Sequence, residues 1–398
     1  MLFLTLLSFH FVAISPILTE SIYDVTKYGA DNRGRSLMTE GVQKAIDTAA
    51  SRGGGTIFFP SGQYISGPIR LRSNINVHFA NNVVITWSND EKKYPPLRMQ
   101  TATGLWPLKN TPLIYAFGEK NITIRGRGKL EGQGSHWWQK NNSASDRPNF
   151  MVFFEVNQLL LEDFTVQNSP CMNVNPIRCR HVTIKGITIY NPYHSHNTDG
   201  INSYSNKDVL ITGVTISTGD DCIALDAGTQ FPSHNLVITN SHMKWGHSGV
   251  GMGSAILGGL SNITVTNCIF EGTDRGLYIK SMRGRGSVIE NVHYSNITMN
   301  NILKEGIALS MLYNPSHQDV ALHDRNIQRE PFRQDTPVYR NLRYDGVRGN
   351  SKLNPIFFVG LPESHIANIE MKNIAVKSSL PIFLNNTQNV VINGKHYS

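Results

Sequence analysis

A period of 27 residues sets the strongest limit on what this chain can fold into. "HVTIKGITIY" begins at residue 181, "DVLITGVTIS" at 208, "NLVITNSHMK" at 235 and "NITVTNCIFE" at 262, each start 27 residues after the last (208 − 181, 235 − 208, 262 − 235). Val182, Val209, Leu236 and Ile263 align, as do Ile184, Ile211, Ile238 and Val265. Apolar and polar residues alternate inside each unit, the period of a strand, and a repeat of this length marks a solenoid. Each unit holds two or three short strands separated by Asn, Gly, Asp or Ser. Stacked in parallel, the aligned columns bury one continuous core. The expected fold is all-β, a single-domain right-handed parallel β-helix. Propeller blades need about 40 residues or more, and ankyrin or tetratricopeptide units are helical, so neither fits.

Looser copies begin at 121, 158, 288 and 365, so the β-helix domain is predicted over 21–398. "TEGVQKAIDTAASRGGG" (39–55) predicts a short N-terminal capping helix, with Thr39 as N-cap, Val42, Ile46 and Ala49 on one stripe, and Gly53, Gly54 and Gly55 as stop signals. The polar, Pro-bearing stretch 88–112 and the stretch 314–340 predict loops inserted between coils. Residues 1–20 are apolar up to Leu18 and then turn polar, which reads as a signal peptide although a basic n-region is missing. The protein is therefore expected to be secreted, to a periplasm or to the extracellular space and cell wall. Cys171, Cys179, Cys222 and Cys268 form no C-x-x-C pair and are read as core residues.

Lys and Arg outnumber Asp and Glu by 37 − 29 = +8. That sign favours polyanions, whether nucleic acid, an anionic surface or an acidic polysaccharide. The basic residues are scattered, with no run of five, so the charge indicates a partner class and nothing finer.

The turns before the third strand of each unit carry the chemistry. They read "NTDGINS", "GDDCIAL", "GHSGVGMG" and "TDRGLYIKS". Registered on Ile201, Ile223, Val250 and Leu277, they place Asp199, Asp221, Ser248 and Arg275 in one column and Thr198, Asp220, His247 and Asp274 in its neighbour. Coils repeat at about 4.8 Å, so three carboxylates and an imidazole converge. Leu277 and Ile279 point inward, which turns Tyr278 and Lys280 onto the outer face. An acidic cluster beside a lysine suits acid/base work on an anionic substrate. Taken alone, an Asp pair in a turn is more often a cap, and three acids can also hold Ca²⁺. Convergence from separate coils favours a catalytic site. Crowded carboxylates cannot all ionise cheaply, so Asp220 is expected to keep its proton above the ordinary range.

On these residues the chain resembles glycoside hydrolase family 28, the polygalacturonases and their pectin-cleaving relatives. "YDVTKYGA" (23–30), residues 53–79 and "KLEGQGSHWW" (129–138) look like its entry coils and a family turn. "NTDG" (197–200), "GDD" (219–221), "GH" (246–247) and "GTDRGLYIK" (272–280) look like its four active-site motifs, in the family's order. The resemblance implies inverting hydrolysis of α-1,4-galacturonosidic bonds in an acidic pectic polysaccharide or oligogalacturonide, without metal. It implies Asp220 as general acid, Asp199 and Asp221 as the carboxylates activating water, and His247 tuning the cluster. Asn197, Lys280, Tyr278 and Tyr313 are the implied substrate contacts. The long 88–112 insertion resembles exo-acting members. A monomer without nucleic-acid partners or membrane insertion is expected.

Two positions depart from the family pattern. Ser248 stands for a glycine and Tyr278 for an arginine, which removes a bidentate carboxylate clamp. Tyr278 is expected instead to offer a ring face to a sugar. Rhamnogalacturonan or a substituted galacturonan is the alternative backbone. A Ca²⁺-dependent polysaccharide lyase and a non-catalytic glycan-binding β-helix are the readings from other classes.

Overall fold

A computed structural model of the chain describes residues 21–101, 104–139, 143–228, 230–313 and 326–397. The predicted signal segment 1–20 lies outside them, as does 314–325 of the second predicted loop. The architecture is the right-handed parallel β-helix that the repeat predicts. Val182 pairs with Val209, Val209 with Leu236 and Leu236 with Ile263, all parallel and in the register read from the sequence. Inward Val, Ile and Leu columns fill the bore from the first coil to the last, with Phe59, Trp87, Phe150, Phe270 and Tyr294 among the largest side chains buried in it.

Asparagine makes the turns. Asn121, Asn235, Asn262, Asn341, Asn368 and Asn389 all adopt left-handed backbone at φ 52–61°, a region that asparagine tolerates better than most residues. Their amides bond from coil to coil: Asn262 donates to Asn235 over 3.3 Å, and Asn235 to Asp208 over 2.9 Å.

The helix Thr39–Ser51 lays Val42, Ala45, Ile46 and Ala49 against the first coils. Thr39 is not its N-cap. Met38 holds that position, and the Thr39 hydroxyl accepts the Gly67 N–H at 2.6 Å instead, which ties the helix to the coil beside it. The stretch 88–112 is also more than a loop. Leu97–Thr101 and Gly104–Leu108 form an antiparallel hairpin, and Met99, Leu97, Trp106 and Leu108 seat it on Val152, Phe154 and Ile177.

A second parallel sheet of eleven strands carries the site. Its consecutive members include Met151–Phe154, Val174–Ile177, Ile201–Tyr204, Ile223–Asp226, Ser248–Met252 and Arg275–Lys280. The hairpin covers the outer face of the first two, and the acids lie over the next four.

Candidate active site

The register places the site residues as the alternation predicts. Ile201 pairs with Ile223, Ile223 with Val250 and Val250 with Leu277, and Ser248 sits directly beside Arg275. Two buried threonines lock the turns that carry the acids. Thr218 donates to the Thr198 carbonyl, and the Thr198 hydroxyl accepts the Gly219 N–H at 3.1 Å. Gly246, at φ 123°, lets the next turn pass beneath Asp220, where a Cβ would lie 2.6 Å from the Asp220 carbonyl.

Asp199, Asp220 and Asp221 bring carboxylate oxygens within 4.8 Å of one another. Each has a different set of partners. Asp220 Oδ1 faces His247 Nδ1 at 3.1 Å and accepts the Asp221 N–H at 2.9 Å; its Oδ2 lies 3.5 Å from Asn197 Nδ2. Asp221 accepts the Ser248 hydroxyl on Oδ1 at 2.6 Å and the Lys280 ammonium on Oδ2 at 2.7 Å. Ser248, which departs from the family glycine, thus anchors an acid. Asp199, 7% exposed, has the two other acids and Lys280 as its charged neighbours.

These surroundings redistribute the protons. Burial, then the charges of Asp220 and Asp221, hold Asp199 well above the ordinary carboxylate range. Burial also pushes Asp220 upward, but the His247 hydrogen bond and charge, with Lys280, outweigh it and set Asp220 below that range. The expectation that Asp220 retains its proton is therefore corrected; a paired imidazole offsets what crowding alone would do. His247 rises in turn, because the Asp220 hydrogen bond and the nearby acids overcome the burial that would lower it. The proton of the acid lies on the His247 side of the pair.

Tyr278 and Lys280 turn away from the core as predicted, yet both are buried, at 3% and 8% exposed. Tyr278 does not offer an open ring face. The Arg275 guanidinium sits 4.6 Å from its centroid and the Lys280 ammonium 5.2 Å. The flanking cations correct the stacking expectation, since alternation fixes a side of the sheet and not what neighbours cover. Among the described residues the Tyr278 hydroxyl, which is buried, has no hydrogen-bond partner. Tyr313 lies across the site, its ring 5.3 Å from the Lys280 ammonium.

Four contributors escaped the sequence reading. Arg147, 2% exposed, donates to the carbonyls of Pro170 and His196 at 2.9 Å each and to Asn197 Oδ1 at 2.8 Å, which turns the Asn197 amide nitrogen toward Asp220. Gly251 leaves room for Asp221, whose Oδ2 would stand 2.9 Å from a Cβ there. Glu305 pairs with Arg275 at 2.8 Å and fixes its guanidinium. Asp226 is a further acid, pushed up to about 6 by burial. The chain spacing of Arg147 from Asn197 and the lack of any repeat around it left no signal.

Asn197, Asp220, His247, Asp274, Arg275, Tyr278, Lys280 and Tyr313 line a cavity of about 210 Å³. A larger hollow of about 740 Å³ on the C-terminal coils is lined by turn asparagines and the Arg343–Glu370 pair, and holds no comparable cluster. The three acids could ligate a hard cation by composition. Their donors argue otherwise: both Asp221 oxygens are engaged, one by an ammonium that would repel a metal ion. The four cysteines are buried, with thiols pushed up by burial, to about 11 for Cys171 and about 12 for Cys179, and are inert packing.

The sequence profile of Glycosyl hydrolases family 28 matches residues 55–393, and that of Rhamnogalacturonase A/epimerase, pectate lyase-like, matches 22–83. An exopolygalacturonase of Platanus acerifolia is 30% identical over 75% of this chain and 77% of its own length. A probable polygalacturonase of Vitis vinifera is 28% identical over 68% of this chain, the match spanning 59% of that relative's length. Among solved structures, a hyperthermoactive exopolygalacturonase from Thermotoga maritima superposes with a TM-score of 0.79 at 23% identity, covering 95% of this chain and 93% of that one.

Proposed function

The chain belongs to glycosyl hydrolases family 28, and from that premise we propose that it hydrolyses α-1,4-galacturonosidic bonds of pectic polysaccharide from a chain end. The observation that carries this is the 3.1 Å contact of Asp220 with His247 beside two further acids and a lysine, in one small cavity. Asp220, fed by His247, protonates the glycosidic oxygen as the C–O bond breaks. Water adds to the anomeric carbon and gives its proton to the Asp199–Asp221 side. Lys280, Asn197 and Tyr313 receive the sugar, and Lys280 shares its charge between Asp221 and a uronate carboxylate.

Exo action is supported by the hairpin 97–108, whose Trp106 packs 5.1 Å from Phe154 on the coils before the site. It is supported too by a cavity smaller than the ~300–1,000 Å³ of most ligand pockets, suited to one terminal sugar. Inversion is read from the family likeness. The acids stand closer than the ~6.5 Å or more usual for inverting pairs. Retention, however, needs a carboxylate nucleophile free to bond the anomeric carbon, and Asp221 is held on both oxygens by Ser248 and Lys280. Secretion and a monomeric state complete the reading. The arginine position taken by Tyr278 keeps substituted galacturonan and rhamnogalacturonan as the second reading.

The test is digestion of polygalacturonate. Monomer released from the first time point with slow loss of viscosity, and the β-anomer appearing first by NMR, are expected. Asp220→Asn is expected to lose on the order of 10²–10⁴ in rate. Mixed oligomers at once would sink exo action; the α-anomer first would sink inversion.

A further inference from the structure

At the C-terminal ends of Met151–Phe154, Val174–Ile177 and Ile201–Tyr204, three neighbouring strands of the sheet that carries the site, the chain turns at Glu155, Arg178 and Ser205, all in left-handed backbone at φ 52–54°. The strands that follow are in register, so Arg180 stacks beside Lys207 and Lys207 beside His234. At the coil repeat these three make a row about 10 Å long. Together with Phe231 and Pro232, they line a groove of about 400 Å³.

The groove carries excess positive charge. Glu155 is taken by Arg178, whose guanidinium also lies 4.2 Å from the Phe231 ring centroid. Asp208, next to Lys207, is turned to Asn235 at 2.9 Å and to His181 at 3.6 Å. Among the described residues, neither Arg180, which is exposed, nor Lys207, which is half-buried, has a carboxylate within ion-pair distance. Ser205, 6% exposed, adds a hydroxyl that has no partner among the described residues. The floor is rigid: Asn206 accepts the Cys179 N–H at 2.6 Å and donates to the Pro176 carbonyl at 2.7 Å and the Ser203 hydroxyl at 2.8 Å.

We propose that this groove is a second, non-catalytic binding site for polyuronate, an anchor that holds the polymer while the cavity works on a chain end. The choice of occupant rests on the function proposed above and on charge complementarity. A polymer with one carboxylate per sugar repeats its charge on about the scale of one coil, matching the row, and sugar rings present apolar faces to Phe231 and Pro232. A nucleic-acid grip spreads over more phosphates than two permanent cations can meet.

The test uses the full chain with Asp220→Asn, so that binding is read without turnover. Affinity for polygalacturonate is measured by retardation in a polymer-containing gel, with and without Arg180→Glu/Lys207→Glu. The double change is expected to weaken binding at least tenfold, the neutral Arg180→Gln/Lys207→Gln less, and added salt to mimic both. In the active enzyme the double change should raise KM on polymer several-fold and leave turnover of trigalacturonate within twofold. Undiminished polymer binding in the double variant overturns the anchor, as does an equal loss on polymer and trimer. Stronger competition by polyphosphate or DNA than by polyuronate also overturns it. If the wild type cleaves no galacturonan yet the groove binds polyuronate, the proposed reaction fails and the anchor stands.

Discussion

Lys280 and Asp221 stand 2.7 Å apart, nitrogen to oxygen, with both side chains withdrawn from solvent. In the proposed mechanism the pair ties a carboxylate that activates water to the group that also meets the substrate. Removing one member of a buried pair leaves an uncompensated charge and costs about 3–5 kcal/mol. Lys280→Met should therefore lower the Tm by several degrees as well as abolish activity. Adding Asp221→Asn should recover much of the stability and none of the rate. Additive Tm losses in the double variant would show that the pair is not coupled.

The rate should depend on pH through the His247–Asp220 contact. His247 titrates above the ordinary imidazole value, so the proton it shares survives past about pH 6.5 and the alkaline limb of kcat/KM lies above that point. His247→Gln leaves Asp220 to titrate as a carboxyl group, and the limb should move down by at least one pH unit. A limb that stays put would assign it to another group.

Arg147 never reaches the cavity, so its effect should be indirect. With Arg147→Gln the Asn197 amide loses its fixed orientation, and kcat should fall about tenfold, the size of one hydrogen bond, while KM stays within twofold. Arg147→Lys keeps the charge but not the planar fork and should recover only part. A rise in KM at constant kcat would place Arg147 in substrate binding instead.

Tyr278 separates stability from function. An unsatisfied buried hydroxyl costs about 1–3 kcal/mol, so Tyr278→Phe should hold or raise the Tm. Turnover should fall if the phenol donates to the sugar. Tyr278→Arg would set a third cation beside Arg275 and Lys280, and should destabilise the fold rather than improve action on homogalacturonan. Thermal melts with kinetics on homogalacturonan decide it, and a gain in kcat/KM for Tyr278→Arg would restore the lost-clamp account.

Asp226 makes the folded state sensitive to pH. Its carboxyl is raised to about 6, so as pH climbs from about 4 to 6 the unfolded chain ionises there first and gains on the native state. Asp226→Asn should match the wild type near pH 4 and exceed it by about 2–3 kcal/mol above pH 6. Urea titrations at both values test this; equal stability above pH 6 would mean the burial is relieved in solution.

Much of this was legible because the repeat does the bookkeeping. A 27-residue period orders the coils, and registering their turns on Ile201, Ile223, Val250 and Leu277 brings Asp199, Asp220, Asp221 and His247 together. Alternation then gave the side of the sheet for Tyr278 and Lys280. It could not say that Lys280 reaches back to Asp221, since a long flexible stem has several partners within its radius. It could not see Arg147, 50 positions from Asn197 and outside any repeat. Nor did it show the hairpin at 97–108, whose four anchoring apolar residues are diluted by Pro, Thr and Gly and pack on a distant strand.

The coils that supply Asp199, Asp220, His247 and Lys280 are joined chiefly to their immediate neighbours. The active site is thus written across the stack, one character per rung, and it reads correctly only while the rungs stay in step. Slippage between any two of them would part the acid from its imidazole or the lysine from its carboxylate, while most rungs kept their strands. Catalysis is a finer gauge of axial alignment than any measure of strand content.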